Sequence, residues 1–274
     1  MPSLAIADHA ERHAGHDAPW CTSTGTIESS RATFEDSDMW VVTATLEPGA
    51  EIRWDDVHGD EGIYVVSGAV EVEEPGGAPT RCGPRSVVVV ESSAPATLRA
   101  VERTQLVHDG SNATEAYGDG MLSRPFASQH GVHVISPEDA ATVVHTKDDG
   151  TENRTAYYAD GVCRTCRIAL FTNSSNARLV APSHFHDQDE IIHVTKGELR
   201  FGRFTVPEGS SIFVPAGNRY SFRTTDEWEF LNYRQCVGNF IGRPGGEPLL
   251  ETYGAGTRRR ASGQPLPEPD PALL

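Results

Sequence analysis

His184-Phe185-His186-Asp187-Gln188-Asp189-Glu190, then Ile191 to Lys196, then Gly197, sets two histidines two apart and a carboxylate four residues later. Residues two apart on a strand face the same side, so His184 and His186 point together into one surface of a β structure. A short turn through Asp187 to Asp189 lets Glu190 open the next strand from the same face. Two neutral imidazoles and a carboxylate form a facial triad, which holds a divalent first-row metal and leaves positions open for substrate, water or dioxygen. Further on, Gly209-Ser210-Ser211-Ile212-Phe213-Val214-Pro215-Ala216-Gly217-Asn218-Arg219-Tyr220 reads as a turn, a buried strand, a second turn and a returning strand.

These residues resemble the two motifs of the cupin superfamily. The first is matched in full as His, one residue, His, three residues, Glu, six residues, Gly; the second is matched at Gly209, Pro215 and Gly217. Where cupins place a third histidine this chain has Tyr220, and where an asparagine usually follows it has Thr224. The resemblance implies an all-β fold of two double-stranded β-helix (jelly-roll) barrels in tandem, a single metal, and His184, His186 and Glu190 as its ligands. Tyr220, at the remaining ligand position, could coordinate as phenolate, donate a hydrogen bond to a metal-bound group or act as a general acid. Filling the barrel mouth is its plain structural alternative.

Glu61, six residues and Gly68 repeat the spacing of Glu190 and Gly197, an internal repeat that makes the chain resemble a bicupin. The first half lacks the histidines: Trp54 and Asp56, or Asp55 and Val57, stand in their places, and His58 is the only histidine close to Glu61. The intact metal motif is therefore expected only in the second barrel, as in quercetin dioxygenase-like cupins. The expected organisation is an N-terminal arm over 1–35, a first barrel over 36–110, a linker over 111–160, a second barrel over 161–240 and a partly disordered tail over 241–274. The arm holds at most one helix, and its His9, His13 and His16 form a solvated stripe or one laid on a neighbouring subunit. In the linker, Ser136-Pro137-Glu138-Asp139 caps a short helix over Ala140 to Val144. His130, His133 and His145 read as loop histidines, Cys163 and Cys166 as free thiols, and His193 as a packing or surface residue facing away from Glu190.

The 23 basic against 39 acidic residues give a formal charge of −16, which argues against nucleic acid or an anionic membrane surface as partner. A small molecule, with dioxygen where the metal is iron, is the expected partner. Met1 to Trp20 lacks a signal-peptide core and no later stretch is long enough to span a bilayer, so a soluble cytoplasmic protein is expected. Cupins commonly associate through their sheets, which implies a homodimer.

The family resemblance points first to a non-haem Fe(II) dioxygenase whose substrate chelates the metal; Ni, Mn, Zn or Cu would suit the same donors. A metal-dependent isomerase, lyase or cyclase using Tyr220 as acid or base is the alternative, and a non-catalytic ligand-binding cupin the third. Tyr220 and Glu190 are the candidate catalytic residues. Strand alternation nominates Ile192, Phe213 and Phe222 as pocket walls, with Arg167 and Arg219 as substrate anchors.

Overall fold

The computed structural model describes residues 4–112, 131–146, 150–159, 168–235, 239–241, 249–250 and 259–260. Its strands pair antiparallel and make two jelly-roll barrels in tandem. In the first, a seven-stranded sheet centred on Glu61–Ser67 and Thr104–Ser111 faces a five-stranded sheet that includes Glu51–Trp54 and Ala96–Ala100. In the second, an eight-stranded sheet centred on Glu190–Lys196 and Trp228–Arg234 faces two small sheets, one built on Phe185–His186 and one on Glu198–Phe201.

The two large sheets lie back to back, and the sequence of their strands follows from that. All eight residues of Met39–Leu46 are buried. Trp40, Val42, Ala44 and Leu46 point into the first barrel, while Met39 and Val41 point the other way. The run Val87–Val90 divides likewise, with Val88 and Val90 inside and Val87 and Val89 behind. In the second barrel Ile192, Val194, Ile212 and Val214 face inward, and Ile191 and Phe213 join the layer between the barrels. A strand covered on both faces favours apolar side chains on both, which is why Val87–Val90 reads as an unbroken hydrophobic run and Met39–Leu46 is broken only by Thr43 and Thr45.

The internal repeat has a common backbone cause. Gly68 and Gly197 both adopt positive φ, 82° and 78°, and a Cβ on either would stand 2.3 Å from a carbonyl oxygen, that of Arg103 or of Glu227. Only glycine fits a turn this close to the neighbouring strand.

Two expectations are corrected here. The N-terminal segment is strand and not a helical or solvated arm: Ala5–Ala7 adds to the edge strand Ser211–Val214, and Cys21–Thr24 and Ile27–Thr33 pair within the first barrel. Free edge amides and carbonyls outweigh the helical spacing of its histidines. His9 and His16 are accordingly buried, His9 bonded to Ser211 Oγ at 2.9 Å and His16 to His108 at 2.8 Å. The capping turn at Ser136 does form, with Ala140 N bonded to Ser136 O at 3.0 Å and Ser136 Oγ to the Asp139 carboxylate at 3.0 Å. Beyond it, however, Ala141–Thr146 is a strand of the second barrel's large sheet, pairing with Glu152–Tyr157. Its β-branched Thr142, Val143 and Val144 favour that state over a helix. His193 is a packing residue as expected, buried against Ser211 Oγ at 2.9 Å and edge-on to His9. His130, Cys163, Cys166, Arg167 and nearly all of the tail lie outside the described residues. No described helix is long and apolar enough to cross a membrane.

Burial, and then the neighbouring His9, lower the His193 pKa from 6.5 to about 3. A folded-state value below the unfolded one contributes stability above the unfolded pKa, lost as pH falls from about 6.5 toward 3. Near pH 5 the loss through this one ring is about 2 kcal/mol. Urea unfolding near pH 7.5 and near pH 5 should show the wild type losing about that much more than His193→Gln; equal losses would mean that His193 accepts its proton in place.

Candidate metal centre

His184 and His186 reach the mouth of the second barrel through the local pairing of their backbones. His184 N bonds to Tyr220 O and Tyr220 N to His184 O, each at 2.9 Å, and Gly217 N bonds to His186 O at 2.7 Å. Both imidazoles are buried, with ring centroids 5.0 Å apart, and the Tyr220 ring lies 4.4 Å from that of His184. His184 Nδ1 is 2.7 Å from the Pro182 carbonyl. A carbonyl only accepts, so Nδ1 carries a proton, and Nε2 is the atom that the neutral ring would offer to a metal.

Glu190 opens its strand with no exposed surface. The Tyr220 hydroxyl donates to its Oε1, and Asn232 Nδ2 at 2.8 Å and Arg234 NH2 at 3.0 Å donate to its Oε2. The same Arg234 nitrogen lies 3.3 Å from His186 Nε2. Burial pushes the Glu190 pKa up, but Arg234 foremost, then His186, with the Asn232 and Tyr220 hydrogen bonds, bring it below the ordinary carboxylate value. The carboxylate is thus ionised at neutral pH although fully buried.

The wall residues divide. Ile192 and Phe222 lie in the inward-facing cluster with Tyr220, whose ring is stacked near Phe222 at 6.4 Å. Phe213 does not line the site: it is on the opposite face of its strand, stacked on Phe34 at 4.9 Å, and Ile212 and Val214 hold the inward positions. The pairing of Glu190 with Val214 sets this parity. Arg219 is not an inner anchor either, since it is exposed at the rim, bonded to Ser183 O and set over the Phe185 ring. Sequence reasoning missed Asn232 and Arg234. Their signal was the alternation Phe230, Asn232, Arg234 on the last strand, where two polar residues take inward positions of a buried run.

The first barrel supplies a control. Glu61 is equally buried, with Trp54 Nε1 at 2.6 Å and His108 Nε2 at 2.8 Å from Oε2. By strand register His108 corresponds to Asn232, and Gly110 to Arg234. With no guanidinium there, burial pushes the Glu61 pKa up to about 8 despite Trp54 and His58. Asp56 is exposed and His58 is turned to the Gly59 and Ala94 carbonyls, so Asp56, His58 and Glu61 do not converge.

The donors of the second barrel fit a divalent cation in type: one ionised carboxylate, a His184 Nε2 lone pair, a His186 Nε2 that faces a cation, and a phenol. They are not drawn in to one point. His186 Nε2 and Glu190 Oε1 are 3.9 Å apart, and among the described residues no group of three His, Cys, Asp or Glu side chains is gathered as a metal site. The positive charge between His186 and Glu190 belongs to Arg234.

No family model and no curated protein matches the chain. Solved structures do. Ylba of Escherichia coli superposes with a TM-score of 0.61 at 10% identity, over 89% of this chain and 93% of that one. An oxalate decarboxylase of Bacillus subtilis, described with Mn(II) centres, superposes with a TM-score of 0.61 at 12% identity, over 92% and 80%. A Pseudomonas aeruginosa protein described as glyoxylate-induced gives 0.59 at 12% identity, over 87% and 97%. These likenesses establish the cupin fold.

Removing the buried cation alone should be costly. Arg234→Met is expected to lose roughly 3–5 kcal/mol of unfolding free energy, because Glu190 is left charged and uncompensated. Adding Glu190→Gln should recover part of that loss in urea melts; a double variant less stable than Arg234→Met would show that the pair is not coupled.

Proposed function

We propose that the chain is a metal-dependent cupin enzyme in which His184, His186 and Glu190 hold one divalent cation at the mouth of the second barrel. The observation that carries this reading is the fully buried Glu190, kept ionised beside the imidazoles of His184 and His186. A charged carboxylate in such a place demands a cation, a demand that Arg234 meets in part and a metal ion held with the two imidazoles would share. Asn232 and Tyr220 orient it, as the outer partners of metal-binding carboxylates do. Ile192 and Phe222 keep water from the inner side, so that the open side takes a small organic substrate.

Within that reading we place a non-haem iron(II) oxygenase first. Three protein ligands leave room for a chelating substrate and dioxygen together, and the metal would supply the electrons that dioxygen requires. A second reading, a lyase or isomerase, has its own support in the Tyr220 hydroxyl, which is bonded to an ionised carboxylate and so sits in line for proton transfer to a bound substrate. The similarity in fold to a manganese oxalate decarboxylase agrees with that class. In either case the substrate is a small molecule, and a homodimer associating through its sheets remains our expectation.

Protein purified without added metal, then loaded anaerobically with iron(II) and exposed to nitric oxide, distinguishes the readings. The oxygenase reading expects about one iron per chain and a high-spin nitrosyl signal in spin resonance, abolished in His186→Ala. A tightly held manganese, nickel or zinc that admits no nitric oxide would replace it with the lyase or isomerase reading. In that case Tyr220→Phe should keep the metal and lose turnover.

A further inference from the structure

We infer that the cleft between the two barrels bordered by Arg12 and Glu208 binds a small zwitterion of the amino-acid type, its carboxylate held by Arg12 and its ammonium by Glu208. The cleft encloses about 250 Å³, and its polar walls are Arg12, Thr43, Gln105, His193, Thr195 and Glu208. It arises from the way the shared layer ends. At the centre of that layer Val41, Val107 and Ile191 pack together. Further along the same strand faces the side chains turn polar: Thr43 follows Val41 by alternation, Gln105 precedes Val107, and His193 follows Ile191. Polar groups on both sheets leave a recess that hydrogen-bonds where the centre packs. Because His193 is on the outer face of the strand whose inner face carries Glu190 and Ile192, the cleft is separate from the candidate metal centre.

The two charges on its border decide the kind of ligand. Arg12 NH1 meets the Glu28 carbonyl and the Thr45 hydroxyl, each at 3.4 Å, the long end of the hydrogen-bond range. Among the described residues no carboxylate forms an ion pair with it. Glu208 Oε2 accepts the Gly197 amide at 3.2 Å and likewise has no cation within ion-pair distance among the described residues. A guanidinium and a carboxylate therefore line one cavity without pairing with each other. A free anion would meet Glu208 and a chain of formal charge −16, and a free cation would meet Arg12; a zwitterion answers both charges at once. A planar carboxylate also matches the guanidinium fork in two parallel hydrogen bonds.

The remaining walls are uncharged. Ser211 Oγ lies 2.9 Å from both His193 Nδ1 and His9 Nε2, which fixes the His193 ring and leaves Nε2 as the nitrogen for a ligand. Burial keeps that ring neutral at pH 7, so it offers a hydrogen bond without a third charge. The Gln105 amide oxygen accepts the Ser67 hydroxyl at 3.3 Å and its NH2 is left to donate. The Thr43 hydroxyl, on the same wall, is buried with no partner among the described residues, a cost until one is supplied. The volume falls below the roughly 300–1,000 Å³ of pockets for drug-sized ligands, which limits the occupant to a small metabolite.

Saturation-transfer difference NMR on the full chain tests the site, with L-alanine and L-serine as zwitterionic probes, propionate as the probe without an ammonium and ethylamine as the probe without a carboxylate. The expected result is saturable transfer to both amino acids, with propionate and ethylamine bound about tenfold or more weakly, the loss of one charge-assisted contact. Arg12→Gln and Glu208→Gln, both at exposed positions, should each weaken L-alanine binding about tenfold, with near-ultraviolet circular dichroism confirming that each variant is folded. L-alanine binding by His186→Ala, altered at the candidate metal centre, should equal that of the wild type. Propionate or ethylamine bound as tightly as L-alanine overturns the zwitterion class. No saturable transfer to either amino acid, binding unchanged in both Arg12→Gln and Glu208→Gln, or binding abolished by His186→Ala overturns the cleft as the site.

Discussion

A carboxylate with no exposed surface sits on the central strand of each barrel, and its charge has to be met from within the protein. Glu61 and Glu190 occupy equivalent positions seven residues before equivalent glycines, yet their acidities shift in opposite directions. Around Glu61 the protein places an indole, an imidazole and a wall of aromatic rings; burial dominates and the proton is retained to about pH 8. Around Glu190 it places a guanidinium, an amide and a phenol, and the charge is retained instead. The same backbone position thus serves as a neutral packing element in one barrel and as an anion paired with a guanidinium in the other, and the side chains on the neighbouring strand decide which.

That division depends on how the barrels are packed. Because the two large sheets share a layer, each of their strands contributes alternate side chains to an interior and to the interface between barrels. A one-residue change of parity would exchange Ile212 and Val214 with Phe213, and Glu190 with Ile191. The interface layer, with Phe34 on Phe213 and Tyr64 near Tyr158, therefore fixes which residues face the site as firmly as the site's own hydrogen bonds do.

Much of this could be read from the chain because motif and fold share their physics. The spacing of His184, His186 and Glu190 and the glycines of the turns are demands of a strand, a short turn and a second strand, and each leaves a residue that can be recognised in sequence. What escaped reading depended on contacts distant in sequence. Arg234 lies 44 residues from the carboxylate it neutralises, and His108 lies 47 from Glu61. Phe213 was assigned to the wrong face because a strand buried on both sides carries no alternation to read. The N-terminal histidines, spaced as on a helix, are placed by sheet partners far along the chain, His9 meeting Ser211 across a separation of 202 and His16 meeting His108 across 92. Local patterns do not encode such partners.

The contrast between the barrels also bears on why the repeat is unequal. Filling the first barrel with Trp40 and Trp54 removes the room an arginine would need at Gly110 and gives Glu61 a neutral environment. The second barrel keeps a charged carboxylate and must hold a cation beside it at every stage. Arg234 meets that need from within the fold, and the stability of this site arises from that ion pair.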